Sequence, residues 1–290
     1  MVLSENGSGW NASGAGFKLA FQDILGATEG LYSTETTLSG AVNFDILGVP
    51  SYGDHGHPGG MQAHSDIVAV AMESGEAAHG AVYFLEVTGS TVRYLSTLHL
   101  DGSQGEPLQA DQNAAATVGF VRLESGYYLL AVSGKIHGTQ GIWFYESSDT
   151  EINRGTKWDF VDFYDPPCVQ YGTEADDCYV GAGGGLNLVT DCSGDIYLLA
   201  MHGTHGTAFK NEYEYLQVFH VLQDEGGQVA LDKVVQQRDN LQFSAIDDKS
   251  FRWSGGVYVA RDGHIALMNT ERRTNQGDND YVDGDVYLGK

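Results

Sequence analysis

Four stretches of this chain repeat one internal order: a glycine, a short strand-like run, a turn, an apolar run, a glycine-rich loop and an aromatic run. The first reads Gly59-Gly60-Met61-Gln62, then Ile67-Val68-Ala69-Val70-Ala71-Met72, then Ala81-Val82-Tyr83-Phe84-Leu85. The others open at Gly119, Gly185 and Gly256, so the aligned glycines are 59, 66 and 71 residues apart. A repeat of this length marks units that bury their apolar faces against copies of themselves, and it has to be read before anything else. The runs are short, β-branched or aromatic, and bounded by Gly, Asp and Ser, which predicts strands rather than helices. A further run follows in the first three units, at Val92–Leu95, Trp158–Val161 and Lys233–Val235. Each unit therefore supplies four antiparallel strands.

This pattern, over residues 41–290, resembles the β-propeller superfold, in which four-stranded blades stand around a central axis. The Trp-Asp dipeptide of WD40 blades does not recur from unit to unit, and the Asp-box of sialidases is missing, so the resemblance stops at the superfold. It implies one all-β domain over residues 1–290, with repeats near 57–107, 116–166, 182–240 and 253–290. A large β-sandwich or jelly roll would need the same internal order four times by coincidence. The last unit ends after its third strand, and an open edge invites aggregation. The expected repair is a strand from the N-terminal region, and the apolar run 41–47 is placed there to close the ring. Residues 1–40, with a strand-like run at 17–21, form an arm or a degenerate further blade. The blade number is four or five, and five is the reading taken.

Composition narrows the function. The 39 acidic and 15 basic residues give a net charge of -24, which repels phosphate backbones and anionic membranes. No apolar run has the roughly 18 residues of a membrane helix. No phosphate loop, dinucleotide fingerprint, Gly-x-Ser-x-Gly elbow or His-Glu-x-x-His stands in the chain, so no nucleotide cofactor is expected. Nucleic acid and membrane insertion are set aside as partners, and a small molecule or glycan is the expected ligand. Residues 1–6 lack a basic region followed by an apolar stretch. The two readings are a cytoplasmic protein and the mature form of an exported one, the second being favoured. Cys168 and Cys178 could close a disulfide, which leaves Cys192 over.

In a propeller, loops at one end of the axis form a funnel, and the repeat lets equivalent positions be compared. Three residues before the aligned glycines stand His57, Ala116, Ala182 and Trp253. At the ends of the second strands stand Glu73, Gly134, His202 and Glu271. Ionisable groups at the mouths of apolar strands are candidates for perturbed acidity. Two blades share a His-Gly-Thr loop, at His137 and at His202, with His205 following the second. His57, Glu73, His137, His202 and Glu271 are the candidates for acid/base work. Imidazoles at His57, His202 and His205 suit a divalent metal, with calcium or a transition ion as the alternatives. Gln62 and Asn187 take equivalent places on the first strands, with Tyr258 and Val121 at the others. Gln62, Asn187, Trp253 and Tyr258 are the candidates for holding a polar ligand, although ordered water competes for the amides. The acidic run around Asp278, Asp280, Asp283 and Asp285 has calcium-like oxygens without EF-hand spacing, and reads as a solvated loop. The expected function is hydrolysis or elimination on a carbohydrate or similar polar substrate. The alternative is a noncatalytic glycan-binding or interaction propeller.

Overall fold

The structure, a computed structural model, describes residues 2–5, 18–21, 30–37, 55–74, 80–88, 91–107, 115, 117–134, 141–164, 185–203, 214–224, 227–238, 249–259, 265–271 and 281–289, with side chains for a subset of these. All regular structure among them is β. The first sheet is β4 (His55–His64), β5 (Ile67–Ser74), β6 (Ala81–Thr88) and β7 (Thr91–His99). The second is β8 (Thr117–Arg122), β9 (Tyr128–Ser133), β10 (Ile142–Ser147) and β11 (Trp158–Tyr164). The third is β12 (Gly185–Thr190), β13 (Ile196–Gly203), β14 (Glu214–Gln223) and β15 (Val229–Arg238). The fourth is β16 (Lys249–Val259), β17 (Ile265–Glu271), β18 (Tyr281–Gly289) and β3 (Gly30–Thr37). Within each sheet, chain neighbours pair antiparallel. The first strands β4, β8, β12 and β16 touch in turn, β16 touches β4 again, and β4 also reaches β12 across the middle. This is the arrangement of a β-propeller, with the first strand of each blade innermost.

The apolar runs are continuous because each blade is covered on both faces. On β5, Ile67, Ala69 and Ala71 join a core with Val82, Phe84, Phe120, Leu130, Trp143 and Trp158, between the first and second sheets. The alternate residues Val68, Val70 and Met72 join a separate core on the other face. The second sheet does the same, since Val121, Leu129 and Ala131 pack with Leu186, Leu188 and Leu198 of the third. In the first core, Phe84 stacks on Trp158 with centroids 4.5 Å apart.

The aligned glycines let the innermost strands approach. A Cβ on Gly119 would lie 2.8 Å from Leu188 N and 2.9 Å from the Asn187 carbonyl carbon. A Cβ on Gly60 would meet the Thr117 side chain at 2.9 Å.

Two expectations change. The strand that completes the fourth sheet is Gly30–Thr37, paired with β18 from Tyr281↔Thr37 to Leu288↔Gly30; residues 41–47, expected in that place, lie outside the described residues. The remaining N-terminal strands, β1 (Val2–Glu5) and β2 (Lys18–Phe21), form a two-stranded hairpin. Among the described residues there are four four-stranded sheets, and this hairpin stands where a fifth blade was expected.

Candidate functional site at the long-loop end

The registers sort the connections by length. Six within-sheet connections are short: residues 65–66, 89–90, 123–127, 191–195, 224–228 and 260–264. The 224–228 turn repeats the pattern of 123–127 and 191–195, with the residue before the last a glycine at φ between 85 and 90° (Gly126, Gly194, Gly227). Only glycine adopts that backbone without strain, and it fixes each turn in the same shape. At the other ends of the same strands lie 75–80, 100–116, 134–141, 165–184, 204–213, 239–248 and 272–280.

The long connections share one end of the molecule. Gly60 meets Thr117 and Gln62 meets Phe120, so positions advance together along β4 and β8. Gly119 meets Asn187 and Leu188, and Asn187 meets Val257. Equivalent residues of the four inner strands therefore stand at one level. The starts of the first strands and the ends of the second strands then face the same way in all four blades. Among the described residues, His55, His57, His99 and His202 stand at the strand ends on this side.

The backbone registers place the candidates there. His57 on β4 is the cross-strand partner of Glu73 on β5. His202, at the end of β13, stands opposite Tyr215, and Glu271, at the end of β17, stands opposite Lys249. Trp253 falls in the irregular stretch of β16 between Ser250 and Gly255, and Tyr258 pairs with Ala266. His137 and His205 lie outside the described residues, as do Cys168 and Cys178. Cys192 is a free, exposed thiol in the 191–195 turn at the opposite end. Among the described residues no group of three or more His, Cys, Asp or Glu side chains comes together; the side chains of His57, His202 and His205 are not among those described.

The two inner-strand amides meet backbone. Gln62 Oε1 accepts from Phe120 N–H at 3.0 Å and from Leu188 N–H at 2.9 Å, and its Nε2 donates to Leu188 O at 2.7 Å. One side chain thus ties β4 to its neighbour β8 and to β12 across the axis. Asn187, 2% exposed, accepts from Val257 N–H at 3.2 Å and links β12 to β16. The sequence singles out both amides but does not reveal these partners, which lie 58 to 126 residues away.

A carboxylate that the repeat comparison passes over shapes the same end. Glu106, buried in the 100–116 connection, accepts from Gly102 N–H at 2.8 Å and Gln104 N–H at 3.0 Å. Trp143 Nε1 donates to Pro107 O at 3.4 Å and pins the connection to the second blade. Burial, then Glu106 and Asp101, push the Tyr145 phenol far above its ordinary range. The signal in the sequence was the tight Asp101-Gly102-Ser103-Gln104-Gly105-Glu106 run, which reads as a turn but does not show that its last carboxylate is buried.

No protein-family model matches the chain. No curated protein matches it in sequence. Among solved structures, the chain is similar to the polysaccharide lyase Uly1, at 13% identity and a TM-score of 0.34, with 83% of this chain and 60% of that one covered. It is also similar to a xylan β-1,4-xylosidase from Bacillus halodurans C-125, at 13% identity and a TM-score of 0.31, with 80% of this chain and 52% of that one covered. The chain thus spans little more than half the length of these proteins.

Proposed function

We propose that the long-loop end is a polar funnel in which this protein hydrolyses or eliminates a carbohydrate or similar small polar substrate. The observation that carries the reading is the register of His57 opposite Glu73, an imidazole and a carboxylate at the funnel mouth. Directly opposed residues of an antiparallel pair share a face of the sheet, at a separation that a proton can cross directly or through one water. One group of such a pair takes a proton from the attacking water or from the substrate carbon, and the other gives one to the leaving oxygen. Glu271, His202 and His137 are the further polar groups assigned to the same mouth, with Trp253 and Tyr258 as surfaces for a sugar ring. In the metal-assisted route, the alternative to acid/base work at His57, the imidazoles of His57, His202 and His205 would instead hold a divalent ion that polarises the scissile group.

The test is turnover of a panel of neutral and uronate-containing polysaccharides by the wild type, His57→Ala and Glu73→Gln. Reducing-end release reports cleavage, and the ultraviolet absorbance of an unsaturated product separates elimination from hydrolysis. The expected result is a drop of about 10²–10⁴-fold in kcat for each variant, the usual contribution of a positioned acid or base. Unchanged turnover in both variants would reject the pair. Binding without turnover would point to the glycan-binding alternative. Metal content measured on wild type and His202→Ala, beside a melt with chelator, decides the divalent ion.

A further inference from the structure

A cavity of about 470 Å³ lies in the seam between the second and third blades, and none of the residues assigned to the funnel lines it. One wall is the end of β11, residues 162–164, and the other is the β14–β15 turn with its flanks, 222–224 and 228–230. That size falls within the range of small-ligand sites, roughly 300–1,000 Å³.

Its chemistry is mixed in a specific way. Asp162 and Tyr164, two apart on β11, belong to the side of the blade that faces the third sheet, and Tyr164 packs against that core. Asp162 is fixed by backbone, its Oδ2 accepting from Val229 N–H across the seam at 2.7 Å and its Oδ1 from Phe163 N–H at 2.8 Å. Asp224 Oδ1 accepts from Gln228 N–H at 2.9 Å. Each carboxylate oxygen can accept twice, so Asp162 is oriented and each of its oxygens has a second acceptor position. Burial pushes the Tyr164 phenol up, which keeps its hydroxyl a donor. Gln228 is exposed beside Leu222, which is 44% exposed, while Gln223 Nε2 donates to Gly227 O at 3.4 Å within the turn. A half-buried aromatic ring, oriented carboxylates and planar amides around one cleft match a ligand with an apolar ring face and a belt of hydroxyls. Two carboxylates on a surface of net charge -24 disfavour an anion.

We infer that this inter-blade cleft is a binding site for neutral oligosaccharide, separate from the funnel. The sugar ring lies against Tyr164 and its hydroxyls bond to Asp162 and Gln228. No residue of the funnel takes part, so the two assignments stand or fall apart.

The experiment is calorimetric titration of the full chain with xylohexaose, cellohexaose, maltohexaose and laminarihexaose, with oligogalacturonate as the anionic control. The wild type, Tyr164→Ala, Gln228→Ala and His57→Ala are compared. The expected result is binding of at least one neutral hexasaccharide and not of the anion. Affinity should fall about tenfold in Tyr164→Ala, a lost aromatic contact, fall severalfold in Gln228→Ala, and hold in His57→Ala. Gln228 is exposed in a turn, so its variant tests the site even if Tyr164→Ala folds poorly. No binding by any neutral hexasaccharide would overturn the inference. So would equal affinity in Gln228→Ala and wild type, or a loss in His57→Ala alone, which would put the sugar in the funnel.

Discussion

Gln62 joins three of the inner strands, and its removal makes a sharp test of how the axis is held. Gln62→Ala deletes three hydrogen bonds, two accepted by Oε1 and one donated by Nε2, at 2.7 to 3.0 Å. It leaves the Phe120 and Leu188 N–H groups and the Leu188 carbonyl without these partners. An orphaned buried polar group costs about 1–3 kcal/mol, so three such groups set an upper range of about 3–9 kcal/mol. Water entering the vacated space would satisfy some of them and bring the loss towards about 3 kcal/mol. Gln62→Met fills the same space without accepting or donating strongly, and it also keeps water out. The argument therefore demands that Met be at least as damaging as Ala, the reverse of the order expected for a side chain that acts by filling volume. Urea unfolding followed by far-ultraviolet circular dichroism gives both values, with the m-value checked for constancy. A Met variant within about 1 kcal/mol of wild type would refute the claim that these bonds hold the strands together.

Three other outcomes follow from the packing. Tyr145 Oη is fully buried and has no hydrogen-bond partner among the described residues, so Tyr145→Phe should raise stability by about 1 kcal/mol; a loss of that size would reveal a bridging water. Gly119→Ala should destabilise by about 3 kcal/mol or prevent folding, because the new methyl would meet the backbone of β12 and not a side chain that can swing aside; a midpoint equal to wild type would show that β8 and β12 can separate. His64 sits edge-on to Phe120 and Tyr128, and burial, then Arg122, hold its pKa below 6.5. The folded state then binds fewer protons than the unfolded one, so stability is full above about pH 6.5 and is lost as pH falls below it. His64→Gln should flatten the stability profile below pH 6.5, and an unchanged slope would remove His64 from the account.

The blade order was legible because it depends on local signals. Strands covered on both faces must be apolar throughout, and turns such as Asp191–Asp195 need a glycine at one fixed place, so both leave marks in a single sequence. Thr, Ser and Glu dominate Gly30–Thr37, which hid its place in the fourth sheet. Such an edge strand pairs on one side only and is specified by backbone bonds to β18 and by the β-propensity of threonine, not by an apolar pattern. Counting by connection length would have found it: residues 38–54 separate β3 from β4, and the equally long stretch 100–116 separates β7 from β8. At the long-loop end, the repeat pattern marks His57 and Glu73 separately, and only the register shows that they are cross-strand neighbours. Gln62 and Asn187 stood out as polar residues on apolar strands, but the groups they bond come from distant chain segments brought near by the approach of inner strands. No local pattern encodes that.

The polarity of β3 also bears on how the chain is made. Its partner β18 ends at Gly289, 252 residues after Thr37 (289 − 37). At about 5–20 residues per second, a ribosome takes roughly 13–50 s to supply the missing neighbour. Throughout that interval the three earlier blades can assemble from contiguous chain, while β3 waits with an unpaired edge. A Val- or Ile-rich strand left waiting so long would be an aggregation hazard. A strand of Thr, Ser and Glu can stay hydrated until β18 emerges, and it then pairs with that strand. The weak hydrophobicity that concealed this strand in the sequence lets it remain hydrated until its partner strand has been made.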